Sequence, residues 1–283
     1  MKWKMKPILK PIAFWASALF FLLACAPEEK SKLVESDSQT EEIRLANLKS
    51  IPVKTLEFEA ALNRHVSALL KIPPTEDFDF QVHYAFLDRD TLLDAVVLVN
   101  RAAYAQEKAK KENNEDFFRY LGYSGPHNHV FVYQGQSGKV LETVPVGSTV
   151  FHPLKISFDY VSTPTHLDFW VDYRIRNGKY RNYYTVRGDK LYLTFNAPIF
   201  DEIGEPFPKA YYHKLVESPI RTAFDIAVYH AEIKGYNPEK IEDFNNFTPE
   251  EILPKDELYV YFIFDEATKK YKTPMRPSSE EEE

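Results

Sequence analysis

The chain has 283 residues, with 35 lysines and arginines against 42 acids, a formal charge of −7, a pI near 5.7 and one cysteine. One cysteine excludes an internal disulfide and a multi-cysteine metal cluster. The acidic balance argues against general nucleic-acid binding, and nine glycines are few for a Gly-rich phosphate cradle or a collagen-like repeat. With 44% hydrophobic and 15% aromatic residues, stability has to come from a buried core.

Lys2, Lys4, Lys6 and Lys10 form a basic leader ahead of an apolar run from Ile12 to Ala24. That run is shorter than the roughly 20 residues that a spanning helix needs. It closes on Leu22-Leu23-Ala24-Cys25, which resembles the lipobox of bacterial lipoproteins. The resemblance implies cleavage before Cys25, attachment of diacylglycerol and a further acyl group such as palmitate at that residue, and a membrane anchor. Ala26-Pro27 follows with no Asp, so the resemblance favours the outer membrane, and Glu28-Glu29 is similar to the surface-export signals of some lipoproteins. Cleavage removes four lysines and no acid, which takes the formal charge from −7 to −11. Residues 25–50, rich in Glu, Ser, Lys and Gln, read as a flexible tether.

Residues 51–276 read as one α+β domain on mainly antiparallel sheet. Thr55 caps a helix predicted over 56–70, where Phe58, Leu62, Val66 and Leu69 recur at helical spacing and Pro73-Pro74 stops the pattern. Strands are predicted over 80–86, 95–100, 129–133, 140–144, 154–161, 167–176, 179–187 and 191–195, with a helical excursion near 102–121. Ser218-Pro219 and the spacing of Ile220, Phe224, Ala227, Val228 and Ala231 predict a helix near 219–234. A short helix is expected over 238–244, a closing hairpin over 258–264 and 270–273, and an acidic disordered tail over 277–283. Residues 95–144 and 167–195 share a strand followed by hairpin strands. A third such unit around Asp225 is precluded by the predicted helix.

Asp88-Arg89-Asp90-Thr91-Leu92-Leu93-Asp94 before an apolar strand resembles the calcium loop of FG-GAP and VCBS repeats. The resemblance implies Asp88, Asp90 and Asp94 as ligands of a Ca2+ cofactor, with Phe86 and Thr91 standing where the family has an acid and a glycine. The alternative is a turn whose aspartates bond backbone. His127 and His129 share a strand face but are too few for zinc. No nucleophile elbow, HExxH or P-loop pattern occurs, so catalytic residues are not assigned. Asn177-Gly178 predicts a two-residue hairpin loop that sets Arg176 opposite Lys179 and Arg174 opposite Arg181. On that register Trp170, Arg174, Arg181 and Tyr183 form a face suited to an anionic ligand. Solvated arginines paired with acids elsewhere are the alternative. The functional expectation is a lipid-anchored envelope module, more a binder or structural element than an enzyme. Its partners would be the membrane and an envelope glycan, lipid headgroup or protein, without nucleic acid. A wall hydrolase using a carboxylate pair and a calcium-loop adhesin-like domain are the rival readings.

Overall fold

The computed structural model describes residues 48–121, 127–141 and 144–274. The leader, Cys25, most of the predicted tether and the acidic tail lie outside the described residues. Helix α1 (Leu56–Leu69) starts where Thr55 is extended, at φ −111° and ψ 158°, and its hydroxyl accepts the Phe58 N–H at 3.2 Å. That bond satisfies one donor of the open first turn, and Glu57 and Glu59 suit the positive end of the helix dipole. Phe58, Ala61, Leu62 and Val66 make one buried stripe, and the left-handed Lys71 (φ 52°) turns the chain away.

The rest is mainly antiparallel sheet. Strands β1 (Asp79–Ala85), β2 (Asp94–Asn100), β3 (Asn128–Tyr133) and β4 (Val144–Val146) form a four-stranded meander, with α2 (Ala102–Lys111) and α3 (Glu115–Leu121) inserted between β2 and β3. Strands β5 (Lys155–Asp159), β6 (Asp168–Ile175), β7 (Gly178–Arg187), β8 (Lys190–Asp201), β9 (Lys209–Val216), β10 (Asp225–Ile233), β11 (Ile252–Asp265) and β12 (Lys270–Lys272) continue as an eight-stranded meander in chain order. Pairing between β8 and β9 shrinks to Phe200 with Ala210 and Asp201 with Lys209. The large sheet is therefore two four-stranded units meeting at a narrow joint, and the molecule is three such units in sequence.

The units stack. β2 is buried along its whole length because its two faces serve different layers. Val96 and Leu98 pack with Phe169, Val171, Tyr184 and Val186 of the second unit, while Ala95, Val97 and Val99 pack under Phe58, Leu62 and Val66 of α1. The second unit is likewise two-sided: Trp170, Tyr183, Phe195 and Ala197 face Ile226, Val228, Phe264 and Tyr271 of the third. The Phe195 ring centroid lies 4.5 Å from Phe262 and 5.9 Å from Tyr271. Aromatic pairs at such separations add about 0.5–1.5 kcal/mol beyond area burial.

The predicted helix at 219–234 is strand β10. It lies between β9 and β11, so Ile226 and Val228 are buried on one face and Ala227 and Ala231 on the other. Burial on both faces erases the period-two contrast that marks a strand, and the leftover apolar spacing matches a helix by coincidence. The third unit, excluded by that helix, is present. Each unit's second strand opens on a buried aspartate: Asp94, Asp168 and Asp225. Asp94 accepts the N–H of Leu87 and Asp168 that of Val161, each seven residues upstream. The loop before the strand is thus closed on its first residue.

Two smaller expectations are corrected. Val140 makes only a bridge to Tyr133, and the strand begins at Val144; the helix near 238–244 is a single 3-10 turn over Pro238–Lys240. The β6–β7 hairpin turns on Arg176 and Asn177, pairing Ile175 with Gly178. Arg176 takes the left-handed conformation (φ 49°), and a Cβ on Gly178 would lie 2.7 Å from the Asp201 carboxylate. Packing against β8 therefore places the glycine in the strand, overriding the local preference for a turn. The predicted faces survive, but each partner moves two residues along, so Arg174 faces Lys179 and Asp172 faces Arg181.

Candidate functional site

The new register decides what the basic hairpin does. Arg181 forks onto Asp172, with Nε at 2.6 Å and Nη2 at 3.1 Å, and lies 4.9 Å from the Trp170 ring and 5.8 Å from Tyr183. Burial pushes the Asp172 carboxyl up, but Arg181 and Lys179 hold it below its usual value. Arg174 is buried and donates to the Phe247 carbonyl at 2.5 Å. Trp170, Arg181 and Tyr183 come together; Arg174 points its bonds to the connection between β10 and β11. Trp170, Tyr183 and Arg174 join the second unit to the third, whereas Arg181 is held within the second unit. Removing Arg181 leaves the half-buried Asp172 carboxylate to Lys179 at 3.0 Å, so Arg181→Ala is expected to cost about as much as the Asp172→Ala/Arg181→Ala double change. A urea double-mutant cycle should give a coupling of about 1–2 kcal/mol.

The opposite end of that hairpin opens into a cleft of about 800 Å3. Its walls are the β1–β2 loop with Asp88, Arg89 and Asp90, the turn after β3 with Gln134, Gln136 and Ser137, and Arg187, Gly188 and His166 of the second unit. The first wall is built by its own aspartates. Asp88 accepts the Asp90 N–H at 3.0 Å, Asp90 accepts the Leu92 N–H at 2.7 Å, and Asp94 accepts from Leu87 at 2.8 Å and Gly135 at 2.9 Å. Gly135 is required there because a Cβ would fall 2.6 Å from the Leu93 carbonyl. Gln134 bridges the units, donating to Gly188 O at 2.7 Å.

The second wall is pinned by Asp168, which accepts from Val161 N, Ser162 N and Ser162 Oγ at 3.2, 2.5 and 3.0 Å. Arg187 donates to Ser162 Oγ and meets His166 Nε2. Burial, with Arg187 and Arg89 nearby, pushes His166 down to about 4, so it is neutral at pH 7. Its Nε2 then accepts from Arg187, which leaves Nδ1–H to donate to Thr165 Oγ1 at 3.1 Å. Burial also raises Asp94 to about 6, helped by Asp88 and Asp90 and opposed by the two backbone N–H donors.

Asp88, Asp90 and Asp94 thus share one loop, but both Asp94 oxygens are engaged by backbone donors. Among the described residues no group of three or more His, Cys, Asp or Glu side chains is arranged to hold a metal ion. His127 packs edge-on to Tyr104, and His129 sits half-buried beside Phe131. Sequence reasoning missed Gln134, Gln136 and His166. The signal that could have found them is the repeated unit, since matching loops and turns of successive units form one rim. No helix among the described residues is long and apolar enough to cross a membrane. No protein family, curated protein or solved structure matches this chain.

Proposed function

We propose that the protein is a lipid-anchored α+β module of the cell envelope that binds a glycan in the cleft between its first two units. The observation that carries this reading is the cleft's lining. Carboxylates of Asp88 and Asp90, amides of Gln134 and Gln136, the Ser137 hydroxyl and the Arg89 and Arg187 guanidiniums converge on one opening. Such a set presents acceptors and donors at close spacing, which matches the hydroxyls of a sugar better than an apolar ligand. Cys25 would carry the acyl chains, and residues 26–47 would hold the cleft away from the outer membrane.

Asp189 lines the cleft from the wall opposite Asp88 and Asp90, so hydrolysis by a carboxylate pair flanking a glycosidic bond is the second reading of the same cleft. Titration of the acylated, full-length protein with neutral and acidic envelope oligosaccharides tests the reading. Gln136→Ala and Arg89→Ala, both at exposed positions, are expected to weaken binding about tenfold each while leaving the melting temperature unchanged. Equal affinity for parent and both variants would exclude the cleft as the site. Cys25→Ser should abolish metabolic labelling by palmitate and release the protein from the membrane fraction; retention of both would remove the anchor.

A further inference from the structure

At the hairpin's far end, about 20 Å along the strands from the cleft, a second opening of about 70 Å3 lies between β5, the β6–β7 hairpin and the β10–β11 connection. Lys155, Arg174, Lys179 and Thr248 line it, with Asp172 as its one acid. Arg174 is only 6% exposed, and among the described residues no carboxylate lies within ion-pair distance of it. Its Nη1 donates to Phe247 O, Nη2 makes long contacts of 3.4 and 3.5 Å to Phe244 O and Arg176 O, and Nε finds no acceptor. Neutral carbonyls solvate a guanidinium but do not cancel its charge, and burial pushes its pKa down against the distant pull of Asp243. Asp172 gives no relief, because Lys179 at 3.0 Å and Arg181 already share it.

The volume is that of about two water molecules, the scale of one tetrahedral oxyanion. Lys155 is exposed at the rim, pairing across the strands with Asp172. We propose that this cavity is an anion site in which Arg174, Lys155 and Lys179 hold a phosphate or sulfate group and the Thr248 hydroxyl donates to it. The group would be the charged substituent of an envelope glycan or the headgroup of a phospholipid. The site shares no lining residue with the cleft, so it stands or falls independently of the glycan reading.

Calorimetric titration of the full chain with inorganic phosphate and with sulfate, against chloride at equal ionic strength, tests it. Saturable binding is expected, with a melting temperature that climbs and then levels off. Lys155→Ala, whose side chain is at the rim, should keep the chloride melting temperature and lose at least tenfold in phosphate affinity. Arg174→Lys, which keeps the charge but not the fork, should lose more; if it fails to fold, the Lys155→Ala result decides. No saturation in the parent, or the same affinity in Lys155→Ala, overturns the proposal. Competition then separates the sources: displacement of phosphate by vesicles of phosphatidic acid in phosphatidylcholine marks a lipid, and displacement by a sulfated oligosaccharide marks a glycan. Displacement by neither overturns the envelope ligand.

Discussion

Asp168→Ala is expected to destabilise the protein by about 3–5 kcal/mol, the range for removing one partner of a buried charge network. The carboxylate is 2% exposed and holds two backbone N–H groups and a serine hydroxyl of the loop before β6. It is also, with Glu266, an acid whose charge acts on Arg187. Its loss leaves those buried donors without their acceptor and removes a nearby negative charge from Arg187. Asp168→Asn keeps one carbonyl oxygen and should fall between parent and alanine. Asp94→Ala, which frees two N–H groups but no arginine, should cost less than Asp168→Ala. Urea midpoints at constant slope measure all three, and a loss below about 1 kcal/mol for Asp168→Ala would mean that the loop is held by something else.

Acid is expected to weaken the fold as pH falls from 6.5 towards 4. Burial depresses His129, His166 and His213 to about 4 in the folded chain, against an ordinary value of 6.5. Between those values the unfolded chain takes up protons that the folded chain refuses, so stability present above pH 6.5 is lost on the way down. For His213, held by Tyr183 Oη at 3.3 Å and Pro198 O at 2.9 Å, the loss is on the order of 3 kcal/mol. Asp94 works in the opposite sense. Its value of about 6 exceeds the ordinary 3.8, so its contribution is greatest below pH 3.8 and is lost as pH rises through 6. Burial also raises Asp88 and Asp168, which act with Asp94, and lowers His83 and His152, which act with the three histidines, so five histidines stand against three aspartates. The melting temperature should therefore fall across the window, and His213→Gln should flatten the fall; an unchanged slope in that variant would dismiss His213 as a cause.

What was legible in the sequence was what neighbouring residues decide. Thr55 and the Phe58, Leu62, Val66 stripe specify α1 locally, and alternation with β-branched and aromatic residues marks the outer strands. The register of β6 with β7 was out of reach because a contact with Asp201, more than 20 residues away in the chain, outweighs the preference of Asn-Gly for a turn. β10 was hidden for a related reason: a strand covered on both sides has no polar face to display. Losing β10 also concealed the third unit, and with it the pattern that places matching loops along one rim. Arg174 and Arg181 were legible as unusual in an acidic chain, but which carbonyls and carboxylates would meet them depends on layers brought together by the fold.

The order of the strands has a kinetic meaning. Every ladder in the second and third units joins strands adjacent in the chain, and three of the seven connections are turns of four residues or fewer. Closing such loops costs little chain entropy, since the penalty grows only with the logarithm of loop length. Each unit is therefore able to zip from its own turns before its apolar faces find their neighbours, and the two rungs between β8 and β9 tie the second and third units together without demanding that they form at once. The long excursion between β2 and β3 is the exception, which makes the first sheet the element whose assembly has to wait.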